Sequence, residues 1–205
     1  MKRRLPLGII LVAVAGCSSR PGAIRPPSID ASSAAEAAIE QGDRDGDGKL
    51  SKAELAASPG LASVASQYDT NGDGALDANE IELGLDKFQQ SKLGARSVPF
   101  VVTFNGRPLN GATVRLIPEP FLDDALNGAS GTTNSAGAGT FDMTAEDRPR
   151  NAPNVPIAQP GLYKVEITHP SGRIPPKYNT ETTLGVEITS ANPGPQGAVW
   201  ALSSN

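Results

Sequence analysis

Two twelve-residue segments of this chain, residues 43–54 and 69–80, carry oxygen-bearing side chains at matching positions. The first reads D-R-D-G-D-G-K-L-S-K-A-E, and the second, starting 26 residues further on, reads D-T-N-G-D-G-A-L-D-A-N-E. Calcium takes roughly six to eight oxygen ligands, which carboxylates, side-chain amides, backbone carbonyls and water can supply. The residue types and their spacing therefore indicate two calcium sites.

Both segments resemble the calcium loop of the EF-hand family, in which loop positions 1, 3, 5, 7, 9 and 12 hold the ion. Position 7 coordinates through its backbone carbonyl, position 9 often through a water molecule, and the glutamate at position 12 through both oxygens. The predicted ligands are Asp43, Asp45, Asp47, Lys49, Ser51 and Glu54 in the first loop and Asp69, Asn71, Asp73, Ala75, Asp77 and Glu80 in the second.

Two further positions of each loop fit the same pattern. Gly48 and Gly74 occupy position 6, where the sharp turn favours a residue without a Cβ. Leu50 and Leu76 occupy position 8, where paired EF-hands usually join their loops by a short β-bridge. The alternative interpretation is a pair of Asp- and Gly-rich solvated loops that bind nothing, but two complete matches favour calcium.

The charge of this region supports the same interpretation. Residues 31–90 hold twelve Asp and Glu residues against four Lys and Arg residues, a net charge of −8 without metal. Such repulsion destabilises a compact state. Two bound calcium ions would reduce the net charge to −4, so we expect calcium binding and folding to be coupled.

The segments that flank the loops predict a compact EF-hand pair over residues 32–92. Ser33 and Glu36 form the pattern of a capping box, which would open an Ala-rich helix that ends near Gln41. Residues 52–57 are expected to form the helix that leaves the first loop, with Pro59-Gly60 as its stop. Apolar residues at helical spacing predict the helices that enter and leave the second loop: Leu61, Val64, Ala65 and Tyr68, then Ile81, Leu85 and Phe88.

The N-terminus resembles the export signal of bacterial lipoproteins. Three basic residues, 2–4, precede an apolar run over residues 5–15 that is too short to span a membrane. The following V-A-G-C, which ends at Cys17, resembles a lipobox, and the resemblance implies cleavage after residue 16 and lipid attachment to Cys17. The alternative is an ordinary signal peptide with a cysteine nearby.

This resemblance implies an exported, lipid-anchored protein of the cell envelope, at the outer membrane or facing the periplasm. Residues 1–16 would be the signal peptide, and residues 17–31, which contain Pro-Gly and Pro-Pro, would be a tether. Loss of the three N-terminal basic residues would change the formal charge from −4 to −7. No basic patch would remain, which argues against nucleic-acid binding. No cysteine would remain for a disulfide either, so the fold must be held by packing and calcium.

In residues 97–205 the helical patterns give way to short alternating segments between Gly- and Pro-rich turns. The predicted strands are residues 98–105, 112–117, 131–133, 139–143, 161–168, 182–189 and 198–202. Seven strands of this kind are typical of an antiparallel β-sandwich. The predicted fold class is therefore α + β in separate domains, a helical EF-hand pair followed by a seven-stranded sandwich.

Three segments of this half resemble carboxypeptidase-regulatory-like domains, which have a prealbumin-like sandwich of the immunoglobulin type. They are F-N-G-R-P-L-N-G-A-T-V-R-L at residues 104–116, T-N-S-A-G-A-G-T-F at residues 133–141 and P-G-L-Y-K-V-E-I at residues 160–167. The shared positions are turn glycines and core aromatics, so the resemblance implies a fold and no chemistry. The Pro-rich residues 149–160 depart from the compact pattern and are expected to form an exposed loop.

The sequence offers little for catalysis. His169 is the only histidine, so a Ser/His or Cys/His mechanism would depend on it, and its T-H-P-S-G context indicates an exposed turn residue. Asp123 and Asp124 could form an acid/base pair, but adjacent carboxylates in a loop flanked by Gly and Asn are usually only solvated. We therefore expect that the protein is not an enzyme.

The main hypothesis is a non-enzymatic, calcium-binding interaction or scaffold module whose partner is an unknown envelope protein. The alternative is a surface carbohydrate-binding lipoprotein with a polysaccharide partner. Tyr163, Tyr178 and Trp200 could stack on a sugar, although aromatics are only 4% of the residues and stacking surface is therefore scarce. Tyr163 and Trp200 are expected in the core as strand residues, which leaves Tyr178 as the aromatic expected to be most exposed.

Overall fold

The computed structural model describes residues 23–122, 124–152 and 154–204. The predicted signal peptide, Cys17 and Asp123 lie outside the described residues. Helices occupy the first half of the described chain and strands the second half, which confirms the α + β class. No helix within the described ranges combines the length and the apolar character that a membrane span requires.

Four helices form the first half: α1 (Ala31–Gly42), α2 (Pro59–Ala62), α3 (Ala65–Tyr68) and α4 (Ala78–Ser91). Helix α1 is capped by Asp30, whose Oδ1 accepts a hydrogen bond from the Ser33 backbone N–H at 3.2 Å. The predicted capping box at Ser33 is therefore wrong, because Asp30 supplies the cap one turn earlier. A capping box does open α4, where the Asp77 and Glu80 side chains each accept from the other's backbone N–H.

The connection between the two loops differs from the prediction. Residues 52–57 were expected to be helical, but only Leu55–Ala57 form a 3-10 helix. Pro59 begins α2 instead of ending a helix, since proline needs no N–H at the first helical position. The single helix predicted through Leu61 and Tyr68 is broken at Val64, whose φ of −121° and ψ of 3° are not helical.

The two loops are joined by the predicted β-bridge. Strand β1 (Lys49–Leu50) pairs antiparallel with β2 (Leu76–Asp77), with Leu50 opposite Leu76 and Lys49 opposite Asp77. The leucines are buried in the core of the helical half, which also contains Leu61, Val64, Tyr68, Ile81, Leu85 and Phe88.

Nine strands form the described part of the second half. They are β3 (Pro99–Phe104), β4 (Arg107–Pro108), β5 (Thr113–Pro118), β6 (Ala129–Thr132), β7 (Ala138–Thr140), β8 (Asp142–Met143), β9 (Gly161–Thr168), β10 (Gly185–Ile188) and β11 (Ala198–Leu202). The sequence predicted seven because β7 and β8 fall within one predicted strand, residues 139–143, and the two-residue β4 leaves no alternating pattern to recognise.

The strands form two sheets. One has the order β10-β9-β5-β6-β8, and the other has the order β11-β3-β4, with β7 also paired to β3. All pairs are antiparallel except β11 and β3, which run parallel with Trp200 beside Val102. The expectation of a wholly antiparallel sandwich is therefore wrong, because the last strand returns beside the first strand of this half in the same direction.

Aromatic rings fill the space between the sheets. Phe100 lies 4.4 Å from Phe141 and 6.2 Å from Trp200, measured between ring centroids. The Phe100 ring also occupies the place that a side chain at Gly131, in the other sheet, would need. Tyr163 is fully buried, so Tyr163 and Trp200 are core residues as predicted.

Two segments that were expected to be exposed are partly packed. Residues 23–30, which belong to the predicted tether, lie against the folded chain: the Gln89 side chain donates to the Pro27 and Ile29 carbonyls. In the predicted loop 149–160, Ile157 and Ala158 are buried. Ala158 forms a β-bridge with Arg96, which holds the end of this segment in place, so only its first part fits the prediction.

Candidate metal centre

The first loop is held in an open ring by hydrogen bonds from its own backbone. The Gly46 and Gly48 N–H groups donate to the Asp43 carboxylate at 2.7 and 2.9 Å. Lys49 N–H donates to Asp47 at 2.9 Å and Asp47 N–H donates to Asp45 at 3.2 Å. Gly46 and Gly48 have φ values of 78° and 82°, a region that glycine enters without Cβ strain.

The second loop repeats this arrangement at the equivalent positions. The Gly72 and Gly74 N–H groups donate to the Asp69 carboxylate at 2.7 and 2.9 Å, the same distances as in the first loop. Ala75 N–H donates to Asp73 at 3.0 Å, and Asp73 N–H donates to Asn71 at 2.8 Å. The matching hydrogen bonds show that the two segments fold as one repeated unit.

A glutamate closes each loop at its last position. Glu54 Oε1 accepts from Arg44 N–H and Glu54 Oε2 accepts from Ser51 N–H, both at 2.8 Å. The Ser51 hydroxyl donates to Oε2 at 2.6 Å; this bond and the backbone donors lower the pKa of Glu54 to about 2. Glu80 is held in the same way by Thr70 and Asp77 N–H at 2.9 and 3.2 Å.

Three carboxylates converge in the first loop. Asp43, Asp45 and Asp47 each present an oxygen within 4.8 Å of the others, with Asp43 half-buried and the other two exposed. Neither loop contains Cys or His, so the donors are all hard oxygens, which fit calcium better than a soft metal. The second loop has Asn71 where the first has Asp45, so it carries one carboxylate fewer at these positions.

A basic side chain connects the two loops. The Lys49 ammonium, from the first loop, pairs with the Asp73 carboxylate of the second. The hydrogen bond raises the pKa of Lys49 and lowers that of Asp73. The predicted position-5 oxygen of the second loop is therefore held by a cation from the first loop.

The segment between the loops contacts the five-stranded sheet, which the sequence did not predict. Gly60 N–H donates to Glu119 Oε1, and the Tyr68 hydroxyl donates to Glu187 Oε1 at 3.1 Å. Both carboxylates are buried, and burial raises the pKa of Glu119 to about 7. No local pattern could reveal these contacts, because they join residues 59 and 119 positions apart.

The other candidates from the sequence do not assemble into a site. His169 lies in a turn, with Nδ1 2.8 Å from Ser171 Oγ and Nε2 2.9 Å from the Asn110 carbonyl. Asp124 is exposed. Tyr178 is half-buried, with its hydroxyl accepting from Ser203 N–H at 3.1 Å, so it is less exposed than expected.

Comparison with known families agrees with the loop geometry. Residues 35–57 and 66–85 match the EF-hand family, described as "EF hand", and each segment contains one complete loop with its flanks. No curated protein and no solved structure matches the chain. The two family matches and the Asp43, Asp45 and Asp47 cluster support calcium binding by an EF-hand module in the first half of this protein.

Proposed function

We propose that the chain binds two calcium ions, one in each loop, through the twelve ligands predicted above. The observation that carries this proposal is the equivalence of the loops: backbone N–H groups at the same loop positions hold the first and last carboxylates in both. Bound calcium would supply two positive charges at the centre of each ring of oxygens. These hydrogen bonds fix the Asp43, Glu54, Asp69 and Glu80 carboxylates within the folded loops.

Charge gives the proposed binding its structural role. The helical half carries a large negative excess, and Asp43, Asp45 and Asp47 present carboxylate oxygens within 4.8 Å of one another. Neutralisation of these carboxylates would relieve their repulsion and stabilise the folded helical half. Calcium would therefore organise this half of the molecule.

The calcium proposal is tested by counting ions. The full chain, stripped with a chelator, is titrated with calcium in competition with a chromophoric indicator. We expect two ions per chain, one ion for Glu54→Gln or Glu80→Gln, and none for the double variant in the same concentration range. Glu82→Gln, a neighbouring acid in α4 that is not a proposed ligand, should retain two. Equal stoichiometry in all variants would contradict the proposal.

We also propose that the protein is anchored to the cell envelope by a lipid on Cys17. The support is the sequence alone: a short basic segment, an apolar run and the sole cysteine at its end. Cells grown with a labelled fatty acid should yield labelled protein in the membrane fraction. Cys17→Ser should abolish the label and release the protein from membranes, whereas an unlabelled wild-type chain would refute the anchor.

The second half is proposed to act as a non-enzymatic interaction or scaffold module. The only histidine lies in a turn, where its ring nitrogens contact the hydroxyl of Ser171, two residues away, and the Asn110 carbonyl oxygen, and these contacts hold the turn together. Capture from an envelope extract, with calcium and with chelator, tests this role. A protein partner retained only with calcium supports the scaffold, whereas retention by polysaccharide would support the carbohydrate-binding alternative.

A further inference from the structure

The segment between the two loops approaches the five-stranded sheet closely enough to exclude any intervening layer. A Cβ at Gly185, in β10, would lie 1.8 Å from the Pro59 carbonyl oxygen. A Cβ at Gly60 would lie 2.8 Å from the Tyr163 backbone nitrogen in β9. Backbone therefore meets backbone, and the two glycines are what permit the contact.

Two buried carboxylates, one in β10 and one directly after β5, point to donors on this segment. Glu119 is 1% exposed and Glu187 is 6% exposed, and Leu162 lies opposite Glu187 in the register. Gly60 N–H donates a hydrogen bond to Glu119, and the Tyr68 hydroxyl donates one to Glu187. The second carboxylate oxygen of Glu187 accepts from the Asn192 side chain at 3.4 Å. A buried carboxylate without donors is costly, so these hydrogen bonds fix where the segment can dock.

Tyr68 links this docking contact to the second loop. It is the last residue of α3 and directly precedes Asp69, the first predicted ligand of that loop. Its ring packs on Gly84 in α4, so closely that a Cβ there would lie 2.0 Å from it. Tyr68 therefore belongs to the helix that enters the second loop and contacts both the helix that leaves it and the five-stranded sheet.

We propose that the outer face of the five-stranded sheet, formed by Glu119, Leu162, Gly185 and Glu187, is a docking surface for α2 and Tyr68 that is coupled to calcium binding in the second loop. Calcium draws the two ends of an EF-hand loop onto one ion and so fixes the angle between the flanking helices. That angle decides whether Tyr68 can pack on Gly84 and donate to Glu187 at the same time. Occupancy of the second loop strengthens docking, and docking strengthens calcium binding by the same factor.

This inference rests on the proposed calcium binding, and its test perturbs the surface far from any ligand. Gly185→Ala places a methyl group against the Pro59 backbone, whereas Gly194→Ala, with open space around its Cβ, is the matched control. Calcium is titrated calorimetrically into the full-length wild-type chain and into each of these two full-length variants. We expect Gly185→Ala to weaken one of the two sites by at least about five-fold, a typical lower value for coupled sites. The effect should persist in Glu54→Gln and vanish in Glu80→Gln.

A second variant covers the case in which Gly185→Ala disturbs the sandwich itself. Tyr68→Phe keeps the ring on Gly84 and removes only the hydroxyl, so we expect the same site to weaken by about two- to five-fold. Fluorescence of Trp200, which is buried against Phe100 and Phe141, reports whether the sandwich remains folded. Hydrogen exchange at Gly60 and Leu61 should slow when calcium is added to the wild-type chain.

The outcomes separate the two proposals. If Gly194→Ala binds no calcium, the proposed function is wrong and the coupling with it. If Gly194→Ala binds two ions, and Gly185→Ala and Tyr68→Phe bind them with equal affinity, calcium binding stands and the coupling is overturned. Unchanged exchange at Gly60 and Leu61 on calcium addition would overturn it in the same way.

Discussion

Leu50 and Leu76 lie directly opposite each other in the antiparallel bridge that joins the two loops. Both side chains are essentially inaccessible to solvent, and Leu50 fills the space beside Gly42 at the end of α1. The bridge therefore ties the two candidate calcium sites to one core, and a change in one loop reaches the other through these side chains.

Truncation of a leucine side chain in this contact should lower the stability of the whole helical half. Leu50→Ala leaves a cavity in a packed core, so we expect the free energy of unfolding to fall by about 2–5 kcal/mol. Calcium affinity should fall at both loops, since both share the bridge. Denaturant unfolding with and without calcium measures the two effects. Leu83→Ala, on the exposed face of α4, is the control and should change stability by less than about 0.5 kcal/mol.

Removal of the ammonium that connects the loops should strengthen the second site. Lys49→Ala frees the Asp73 carboxylate and keeps the backbone carbonyl that is the proposed ligand at this position. Exposed ion pairs are weak and screened by salt, so we expect a modest rise in calcium affinity at the second site, with a larger gain at low salt. Lys52→Ala removes an exposed charge that forms no ion pair with a described residue. If both variants bind calcium equally, the Lys49 contact with Asp73 does not compete with the ion.

Burial of Glu119 should make stability fall as pH rises. Its pKa is raised from about 4.5 to about 7, so between these values the folded chain binds the proton more tightly than the unfolded chain. The free energy of unfolding should therefore decrease through this window, by about 3 kcal/mol in total. Glu54, whose pKa is lowered to about 2, titrates below this window.

Glu119→Gln isolates this effect from all other carboxyl groups. The glutamine keeps a side-chain oxygen that can accept from Gly60 and cannot ionise. Unfolding curves of wild type and variant between pH 5 and 8 should diverge, with the variant losing less stability as pH rises. Parallel pH profiles would mean that the Glu119 carboxyl titrates normally in the folded protein.

Gly84→Ala should destabilise the protein although alanine favours helices. The gain in helix propensity is about 1 kcal/mol, but the new methyl group would collide with the Tyr68 ring. We expect a lower melting temperature and weaker calcium binding at the second loop. Gly194→Ala, which meets open space, should melt within a degree or two of wild type. A stabilised Gly84→Ala would show that Tyr68 does not pack there.

The loops and their bridge could be predicted because their signals are local. Twelve consecutive residues determine each ring of oxygens, and Leu50 and Leu76 follow at fixed positions within it. The start of α1 was misjudged because Asp30 and Ser33 are both good caps one turn apart, and only packing decides between them. The short helices α2 and α3 were merged because their apolar spacing is continuous across Val64.

The contact between the halves of the molecule could not be predicted, because it depends on tertiary structure alone. Glu119 and Glu187 look like ordinary surface acids in the sequence, and nothing in their neighbourhood marks them as buried. The same is true of Gly185, which becomes essential only when Pro59 is placed against it. The parallel pairing of β11 with β3 joins strands almost a hundred residues apart and leaves no local pattern.

The most direct test is a calcium titration of the chelator-stripped full chain that is monitored both by calorimetry and by far-UV circular dichroism. We predict heat from two sites and a gain of helix, both lost in the Glu54→Gln and Glu80→Gln double variant, because the acidic helical half is organised by the ions. No heat and no change in helix at millimolar calcium would contradict the account. The same binding in the double variant would contradict the assignment of the two loops.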